Sequence, residues 1–234
     1  MEEKPEVSVI IPCLDEAENA VAYPETLIGP LAAALPSFEI IFSDGGSSDG
    51  TVDLLWRLAG SYPGVTALAG GRRSFRASLE RAVEAARGRF IIFMEADLSF
   101  SPADAGRLLT EIKRSGADCV CGSPFLGGFS GFPPMRRLLT CAANTLLRLR
   151  FGPKITSYTQ IFKIYRADKL KTLRFETEGF ALDAELLAKA LKNGWRISEI
   201  PVTMTARRGG RSKLSAYKET ANYLRLLFRR NYTT

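Results

Sequence analysis

Three short, mainly apolar runs, each followed by acidic residues, constrain the fold of this 234-residue chain more than any other feature. The runs are Val7–Ile11, Phe38–Phe42 and Phe90–Met94. Such strands are typical of a parallel sheet that is covered on both faces, because neither face meets water. The acidic residues that follow the runs are Asp15, Glu16, Asp44, Glu95 and Asp97. Since ligands bind outside the carboxyl ends of parallel strands, we expect the three clusters to share one site.

Strands and helices alternate through the first half of the chain. Further strands are predicted at Val65–Leu68 and Cys119–Gly122, and Gly88 is expected to terminate the helix before the third run. The predicted helices are a stretch reaching Leu35, a helix from Asp49 to Ala59, one ending at Ala86 and one over Ala103–Arg114. This alternation predicts an α/β domain with a mainly parallel central sheet flanked by helices.

The third acidic cluster has the spacing of a metal site. Glu95, Asp97 and Ser99 alternate with Ala96 and Leu98, and in an extended backbone alternate side chains lie on one face. Oxygen ligands on short side chains suit Mg²⁺ or Mn²⁺, with phosphate oxygens completing the coordination shell. The alternative is an ordinary strand-to-helix turn with carboxylates near the start of the helix. The other two acidic clusters favour a nucleotide site that contains a cation.

The second half of the chain is basic, which predicts an anionic partner. No acidic residue lies between Asp118 and Asp168, and Glu219 is the only one after Arg207. The elements predicted here are a Gly/Pro/Phe-rich loop at Ser123–Pro134, a helix over Met135–Arg150, a strand at Ile161–Tyr165, a helix over Ala181–Lys192, two extended segments within Arg196–Thr205 and a helix over Ala216–Arg230.

The helix over Met135–Arg150 is amphipathic. Its apolar residues are Leu138, Leu139, Ala142, Leu146 and Leu149, and the polar residues opposed to them are Arg136, Arg137, Asn144 and Arg148. Either the leucines pack on the core and the basic face meets water, or the helix lies on a membrane surface. The terminal helix over Ala216–Arg230 also mixes aromatic and leucine residues with arginines. It is expected to contact the same membrane, with packing on the core or a homodimer as the alternatives.

Composition excludes several classes of site. The chain contains no histidine, which removes Ser-His and Cys-His nucleophile pairs and His-ligated metals. Its four cysteines lack C-x-x-C spacing and predict buried thiols in a reducing compartment. No apolar segment approaches the roughly 18 residues of a membrane span, and no signal peptide is recognised. The basic residues are not interleaved with aromatics as in a nucleic-acid reader, so no nucleic-acid partner is expected.

Four sequence motifs resemble those of the inverting family 2 glycosyltransferases of GT-A fold. The segments VSVIIPCLDEAEN, SDGGSSDGT and MEADLS are similar to the opening, second and metal-binding motifs of that family. The stretch Gly179–Ser215 follows the late motif of the polyprenyl-phosphate (dolichyl-phosphate) sugar transferases. The resemblance covers nearly the whole chain. It implies a Rossmann-like GT-A catalytic domain over residues 1–205 and a basic C-terminal arm and amphipathic helix over residues 206–234.

The resemblance also implies roles for particular residues. The nucleoside would be bound by Pro12, Leu14, Glu16 and Asp44. The metal would be held by Glu95, Asp97 and Ser99. The phosphates would be covered by an arm that carries Arg207, Ser212 and Lys213. The acceptor phosphate would face Arg136 and Thr140, which lie one helical turn apart. The sugar pocket would be bordered by Asp183 and Glu185.

The implied reaction is metal-dependent transfer of a hexose from a nucleotide sugar to a polyprenyl or dolichyl phosphate, at the cytoplasmic face of a membrane. Three residues depart from the family pattern: Glu95 replaces an aspartate, Ser157 stands where an aspartate is common, and Pro124 where an arginine is common. They leave the metal preference and the acceptor open. The alternatives are transfer to a saccharide hydroxyl, with Asp183 as the base, and a non-catalytic basic module that binds an anionic membrane or nucleic acid.

Overall fold

The computed structural model describes residues 4–70, 73–152, 154–207 and 216–229, without the side chains of residues 216–218. Within them, eight strands form one sheet in the order β3-β2-β1-β4-β7-β5-β8-β6. The strands are β1 Val7–Cys13, β2 Phe38–Asp44, β3 Val65–Leu68, β4 Phe90–Phe93, β5 Cys119–Ser123, β6 Gly128–Ser130, β7 Lys163–Arg166 and β8 Ile197–Thr205. Strand β7 pairs antiparallel to both of its neighbours, and the other pairings are parallel. The expected mainly parallel α/β architecture is therefore confirmed.

Helices cover both faces of the sheet. They are α1 Ala17–Ala20, α2 Gly29–Ala34, α3 Thr51–Ser61, α4 Phe75–Ala85, α5 Ala105–Ser115, α6 Pro124–Gly127, α7 Pro134–Phe151, α8 Ala167–Leu170, α9 Ala181–Lys192 and α10 Ala216–Phe228. A π-helical turn at Pro24–Ile28 precedes α2, and a 3₁₀ turn at Pro102–Asp104 precedes α5. Two apolar cores result, one on each face, because alternate residues of the central strands point to opposite sides.

The register of the parallel strands brings the acidic clusters to one edge. Strand β1 lies between β2 and β4, with Cys13 opposite Asp44 and Ile10 opposite Phe93. The residues that follow β1, β2 and β4 therefore emerge side by side, as expected from the three apolar runs. Gly88 plays a different part from the one expected. A Cβ there would overlap the backbone of Ser8, so the glycine permits close approach of the chain to β1 rather than ending α4.

Two predictions for the second half were wrong in detail. The Gly/Pro/Phe-rich segment at Ser123–Pro134 is not an irregular loop, because it contains α6 and the short strand β6. Arg196–Thr205 does not form two extended segments. It contains the single nine-residue strand β8. This strand lies between β5 and β6 and pairs with both, a neighbourhood that the sequence does not predict.

Helix α7 is the one predicted, but it packs through an unexpected face. Asn144, assigned to the solvated polar face, is 2% exposed, whereas Leu138 and Leu149 are 61% and 80% exposed. Asn144 accepts hydrogen bonds from the backbone N–H groups of Tyr158 and Thr159, and its amide donates to the Thr140 carbonyl and the Thr159 hydroxyl. Since these bonds satisfy buried backbone groups, they hold this face inward. The leucine face is left exposed.

Helix α10 packs against α9, and its Leu226 is buried in the core on that face of the sheet. The carboxyl end of α7 reaches the end of α10, where Arg150 donates to the carbonyl oxygens of Leu227 and Arg229. The predicted boundary at residues 205 and 206 stays a prediction, because residues 208–215 lie outside the described part of the chain. None of the helices described is long and apolar enough to cross a membrane.

Candidate active site

A cavity of about 400 Å³ lies at the carboxyl ends of β1, β2 and β4. The side chains and turns that line it come from these strand ends, from the start of α4, from the turn before α9 and from α10. Six of the residues singled out in the sequence line it: Pro12, Leu14, Glu16, Glu95, Asp97 and Arg207. The fold therefore joins the opening motif, the acidic motif and the start of the basic arm in one site.

The floor of the cavity at β1 and β2 is shaped by Asp44. This residue is buried at the end of β2, where its carboxylate accepts from the backbone N–H groups of Gly46 (2.8 Å) and Ser47 (3.1 Å). It does not line the cavity itself, so the structure gives it a role in building the turn. The neighbouring Gly45 does line the cavity, and its backbone donates to the Cys13 carbonyl.

The acidic motif after β4 forms a turn, so the extended arrangement expected from its alternation was wrong. The strand ends at Phe93, and Leu98 has a φ of +54°, which reverses the chain. Glu95 and Asp97 face the cavity, but Ser99 does not line it. The Ser99 hydroxyl donates to Asp97 Oδ1 (2.6 Å), as does its backbone N–H (3.0 Å). Ser99 therefore orients Asp97.

Glu95 is half-buried and directs one carboxylate oxygen into the protein. Its Oε2 is buried and has no hydrogen-bond partner among the described residues. Burial raises the pKa of Glu95 well above its usual value, and the charge of Asp97 raises it further. Lys163, fully buried on β7, acts in the opposite direction. The sequence signal for Lys163 is a lysine inside an apolar strand, because burying a charge is costly unless it is paired and hydrogen-bonded.

Arg207 forms an ion pair with Asp97. Its Nη2 lies 2.6 Å from Asp97 Oδ2, and the two side chains are 18% and 9% exposed. With Ser99 on Oδ1 and Arg207 on Oδ2, both carboxylate oxygens of Asp97 have donors. Ser212 and Lys213, the other members of the predicted arm, lie outside the described residues.

The two acidic residues expected at the sugar pocket lie behind the cavity wall. Asp183, in the first turn of α9, is fully buried, and neither of its oxygens has a hydrogen-bond partner in the described part of the chain. Burial raises the pKa of Asp183 to about 7, against the opposing effect of Lys163. Glu185 is also fully buried and forms an ion pair with Lys189 (2.8 Å). It accepts from the Thr177 backbone (2.7 Å), which indicates a structural role.

The residues expected to hold the acceptor phosphate lie on α7, outside the cavity lining. Arg136 is exposed, with its guanidinium 4.9 Å from the Phe132 ring centre, and Thr140 is half-buried. Two positions that depart from the family pattern are buried: Pro124 begins α6, and the Ser157 hydroxyl donates to Gln160. The structure therefore does not bring the predicted acceptor residues to the acidic motif.

Several cavity residues were missed by reasoning from the sequence. Arg73 lies at the β1–β2 side, paired with Asp15 (3.1 Å). The cavity is also lined by Ser74, Phe75, Gly179, Phe180, Glu219 and Asn222. Gly179 and Phe180 begin the late motif, so a signal was present for them. No local pattern marks the residues from α10, because their position depends on how that helix packs.

The comparisons with known proteins identify the family. Residues 8–174 match the model described as glycosyl transferase family 2. The chain belongs to glycosyl transferase family 2. This family 2 chain is 31% identical over 219 residues to polyprenol monophosphomannose synthase of Mycolicibacterium smegmatis, covering 88% of this chain and 80% of that protein. It is also 31% identical over 223 residues to undecaprenyl-phosphate mannosyltransferase of Micrococcus luteus, covering 89% and 87%. The protein is a glycosyltransferase, which removes the non-catalytic alternative.

Solved structures confirm the GT-A fold of this family 2 glycosyltransferase. Glucosyl-3-phosphoglycerate synthase from Mycobacterium tuberculosis, in complex with Mn²⁺, UDP-glucose and phosphoglyceric acid, matches with a TM-score of 0.71 at 18% identity. Its complex with Mn²⁺, UDP and glucosyl-3-phosphoglycerate matches with a TM-score of 0.69, also at 18% identity. Each match covers 95% of this chain and 77% of that chain.

Proposed function

We propose that this enzyme transfers a hexose from a nucleotide sugar to a polyprenyl phosphate at a membrane surface. The observation that carries the proposal is the meeting of Glu95, Asp97 and Arg207 in the cavity at the ends of β1 and β2. Two carboxylates beside a guanidinium suit a diphosphate that arrives with a divalent cation. The two curated relatives, named for mannosyl transfer to polyprenyl phosphates, support this choice of acceptor.

The donor would bind with its nucleoside against β1 and β2. Pro12 and Leu14 offer apolar contact there, and Glu16 offers a carboxylate for hydroxyl or amide donors. Arg207 would meet the diphosphate after leaving Asp97, and Lys213 would join it from the same arm. Cations at this position stabilise the charge that develops on the departing nucleoside diphosphate.

The carboxylates fit a hard divalent cation, Mg²⁺ or Mn²⁺. The buried Oε2 of Glu95, which has no hydrogen-bond partner among the described residues, and the adjacent carboxylate of Asp97 would hold it. No set of three or more Asp, Glu, Cys or His side chains able to hold a metal occurs within the described ranges. Two protein carboxylates match a cation that takes its remaining ligands from phosphate and water. When bound, it would supply Lewis-acid stabilisation of the leaving diphosphate.

A phosphate acceptor agrees with the position of Asp183. A phosphate monoester loses its second proton with a pKa of about 6, so it is largely ionised at pH 7 and needs no base to become a nucleophile. Its oxygen would attack C1 of the hexose from the side opposite the nucleotide and invert the configuration. Asp183 lies outside the cavity lining. A hydroxyl acceptor would need a base within hydrogen-bond reach, so it remains the second candidate.

The exposed apolar face of α7 supports contact with a membrane. This α7 apolar face consists of Met135, Leu138, Leu139, Leu146 and Leu149. Arg136 and Arg137 are exposed beside it at the start of the helix. Apolar side chains flanked by arginines suit the headgroup region of an anionic bilayer, where each cation contributes about 1 kcal/mol. A cytoplasmic-face location belongs to the same proposal. Arg136 and Thr140 would receive the acceptor phosphate at the membrane surface, outside the cavity lining.

Transfer assays test the acceptor and the donor together. The purified chain is incubated with Mn²⁺ or Mg²⁺ and with GDP-mannose, UDP-glucose or UDP-N-acetylglucosamine. Each donor is offered a polyprenyl phosphate, the matching polyprenol or a saccharide, and products are identified by mass spectrometry. We expect glycosylated polyprenyl phosphate from one donor and near-complete loss of transfer in Asp97→Asn. Asp168→Asn should transfer like the wild type, because Asp168 is exposed and does not line the cavity. Transfer to the saccharide alone would favour the hydroxyl acceptor, and no transfer with any pair would contradict the proposal.

A further inference from the structure

Helix α10 forms one wall of the cavity. Glu219 and Asn222 both line it, together with Gly179 and Phe180 from the turn before α9. Three polar contacts fix the helix to this turn. Phe180 N–H donates to Glu219 Oε2 (2.8 Å), the Asn222 amide donates to the Glu178 carbonyl (3.0 Å), and the Tyr223 hydroxyl donates to the Phe180 carbonyl (3.3 Å). A helix for which the sequence predicts membrane contact, packing on the core or a homodimer interface therefore takes part in the site.

The turn before α9 is shaped to receive α10. Gly179 has a φ of +70°, a conformation that glycine adopts without strain. A Cβ at this position would overlap the Glu219 carboxylate, so the glycine leaves room for that side chain against the turn. Leu226 of α10 is 2% exposed and anchors the next turn of the helix. The wall is thus held by a close packing contact as well as by hydrogen bonds.

Charge separates the two parts of the cavity. Arg207 lies at the acidic turn and suits the diphosphate. The α10 wall carries the carboxylate of Glu219, whose charge raises the pKa of the nearby Asp183. A phosphate beside Glu219 would be repelled, since like charges close together in a partly buried site oppose one another. A neutral ligand with hydroxyl donors suits this wall, because carboxylate and amide oxygens accept hydrogen bonds from hydroxyl groups.

An aromatic pair completes the wall. The Phe180 ring meets the Phe75 ring edge to face, with 6.0 Å between centroids and both residues lining the cavity. Apolar ring surface next to carboxylate and amide groups matches a hexose, which presents C–H groups on one face and hydroxyl groups at its edge. A nucleotide sugar bound by its diphosphate near Arg207 carries such a neutral hexose directly on that diphosphate.

We propose that Glu219 and Asn222 bind the hydroxyl groups of the donor hexose, which makes α10 part of the sugar subsite. This inference rests on the proposed function, because it takes a nucleotide sugar as the donor. It also gives α10 two faces with different tasks. Glu219 and Asn222 face the cavity, while Leu224 and Phe228 are exposed on the outside.

The test compares binding of nucleotide sugars with binding of the bare diphosphates. Titration calorimetry with Mn²⁺ present gives dissociation constants for GDP, GDP-mannose, UDP and UDP-glucose with the full chain. The variants are Glu219→Gln, Glu219→Ala and Asn222→Ala, and Leu224→Ala is the control on the exposed side of the same helix. Glu219→Gln separates the two roles of Glu219, since a glutamine whose oxygen accepts from Phe180 N–H presents an NH2 donor to the ligand in place of the second carboxylate oxygen.

We expect Glu219→Gln and Asn222→Ala to weaken binding of the nucleotide sugar about ten-fold, from loss of a hydrogen bond to the ligand. Binding of the diphosphate should stay within two-fold, and Leu224→Ala should match the wild type in both. Equal weakening of diphosphate and nucleotide sugar would reduce Glu219 to a packing role and overturn the inference, as would unchanged binding. A wild-type chain that binds none of the four nucleotides would refute the proposed function itself, which a selective failure at Glu219 would not.

Discussion

The ion pair between Arg207 and Asp97 predicts a competition between the enzyme's own cation and a divalent metal. In the structure Arg207 occupies Asp97 Oδ2 at 2.6 Å, and Ser99 occupies Oδ1. A metal that binds Asp97 in the absence of nucleotide must first displace the guanidinium. Arg207→Gln removes this competitor and should therefore tighten the binding of Mn²⁺ alone.

The size of the effect follows from the burial of the pair. Both side chains are less than one-fifth exposed, so solvent screens the contact only in part. A hydrogen bond between charged groups in such a setting contributes roughly 1.5–3 kcal/mol. Since about 1.4 kcal/mol corresponds to a factor of ten in affinity, Arg207→Gln should bind Mn²⁺ about ten-fold or more tightly than the wild type. Turnover should nevertheless fall, because the diphosphate loses the same guanidinium.

Electron paramagnetic resonance of free Mn²⁺ measures this affinity without nucleotide or turnover. Arg73→Gln is the matched control, because Arg73 lines the same cavity but pairs with Asp15. It reports the general effect of removing one positive charge near the site. If Arg207→Gln binds Mn²⁺ no more tightly than Arg73→Gln, the guanidinium and the metal do not share Asp97, and the reasoning is refuted.

Two further predictions concern the membrane and pH. The wild type should sediment with anionic liposomes at low salt and be released as salt screens the charges. The double variant Leu138→Glu, Leu149→Glu should no longer sediment with the liposomes. Trp56→Glu, which changes an exposed apolar residue of α3, should sediment like the wild type. Burial raises the pKa of Asp183 from 3.8 to about 7, so the folded state holds this proton more tightly than the unfolded chain. The free energy of unfolding should therefore fall between about pH 4 and 7, by up to roughly 4 kcal/mol from this group. Denaturant titrations should show a flatter dependence of stability on pH for Asp183→Asn than for the wild type. Equal dependence in the two proteins would contradict a buried carboxyl without a hydrogen-bond partner among the described residues.

The active site shows where local reasoning reached its limit. The strands that end at the cavity were predictable because their apolar runs and acidic ends are properties of a few neighbouring residues. The geometry of the acidic motif could not be predicted in the same way. Alternate residues share a face only in an extended chain, and Leu98 turns the chain at a φ of +54°. Ser99 was therefore placed beside the metal by its spacing, but the structure turns it onto Asp97.

The sequence by itself determined the alternating architecture, the edge of the sheet at which the cavity lies and the family, because these depend on short apolar runs and on motifs whose residues are neighbours in the chain. Tertiary structure alone decided which face of α7 is buried and what α10 contributes. Asn144 is held inward by hydrogen bonds from the backbone N–H groups of residues 158 and 159, and Glu219 reaches the cavity because α10 docks on the turn at Gly179. Partners 14 to 39 residues apart leave no periodic signal, and only the packed fold brings them together.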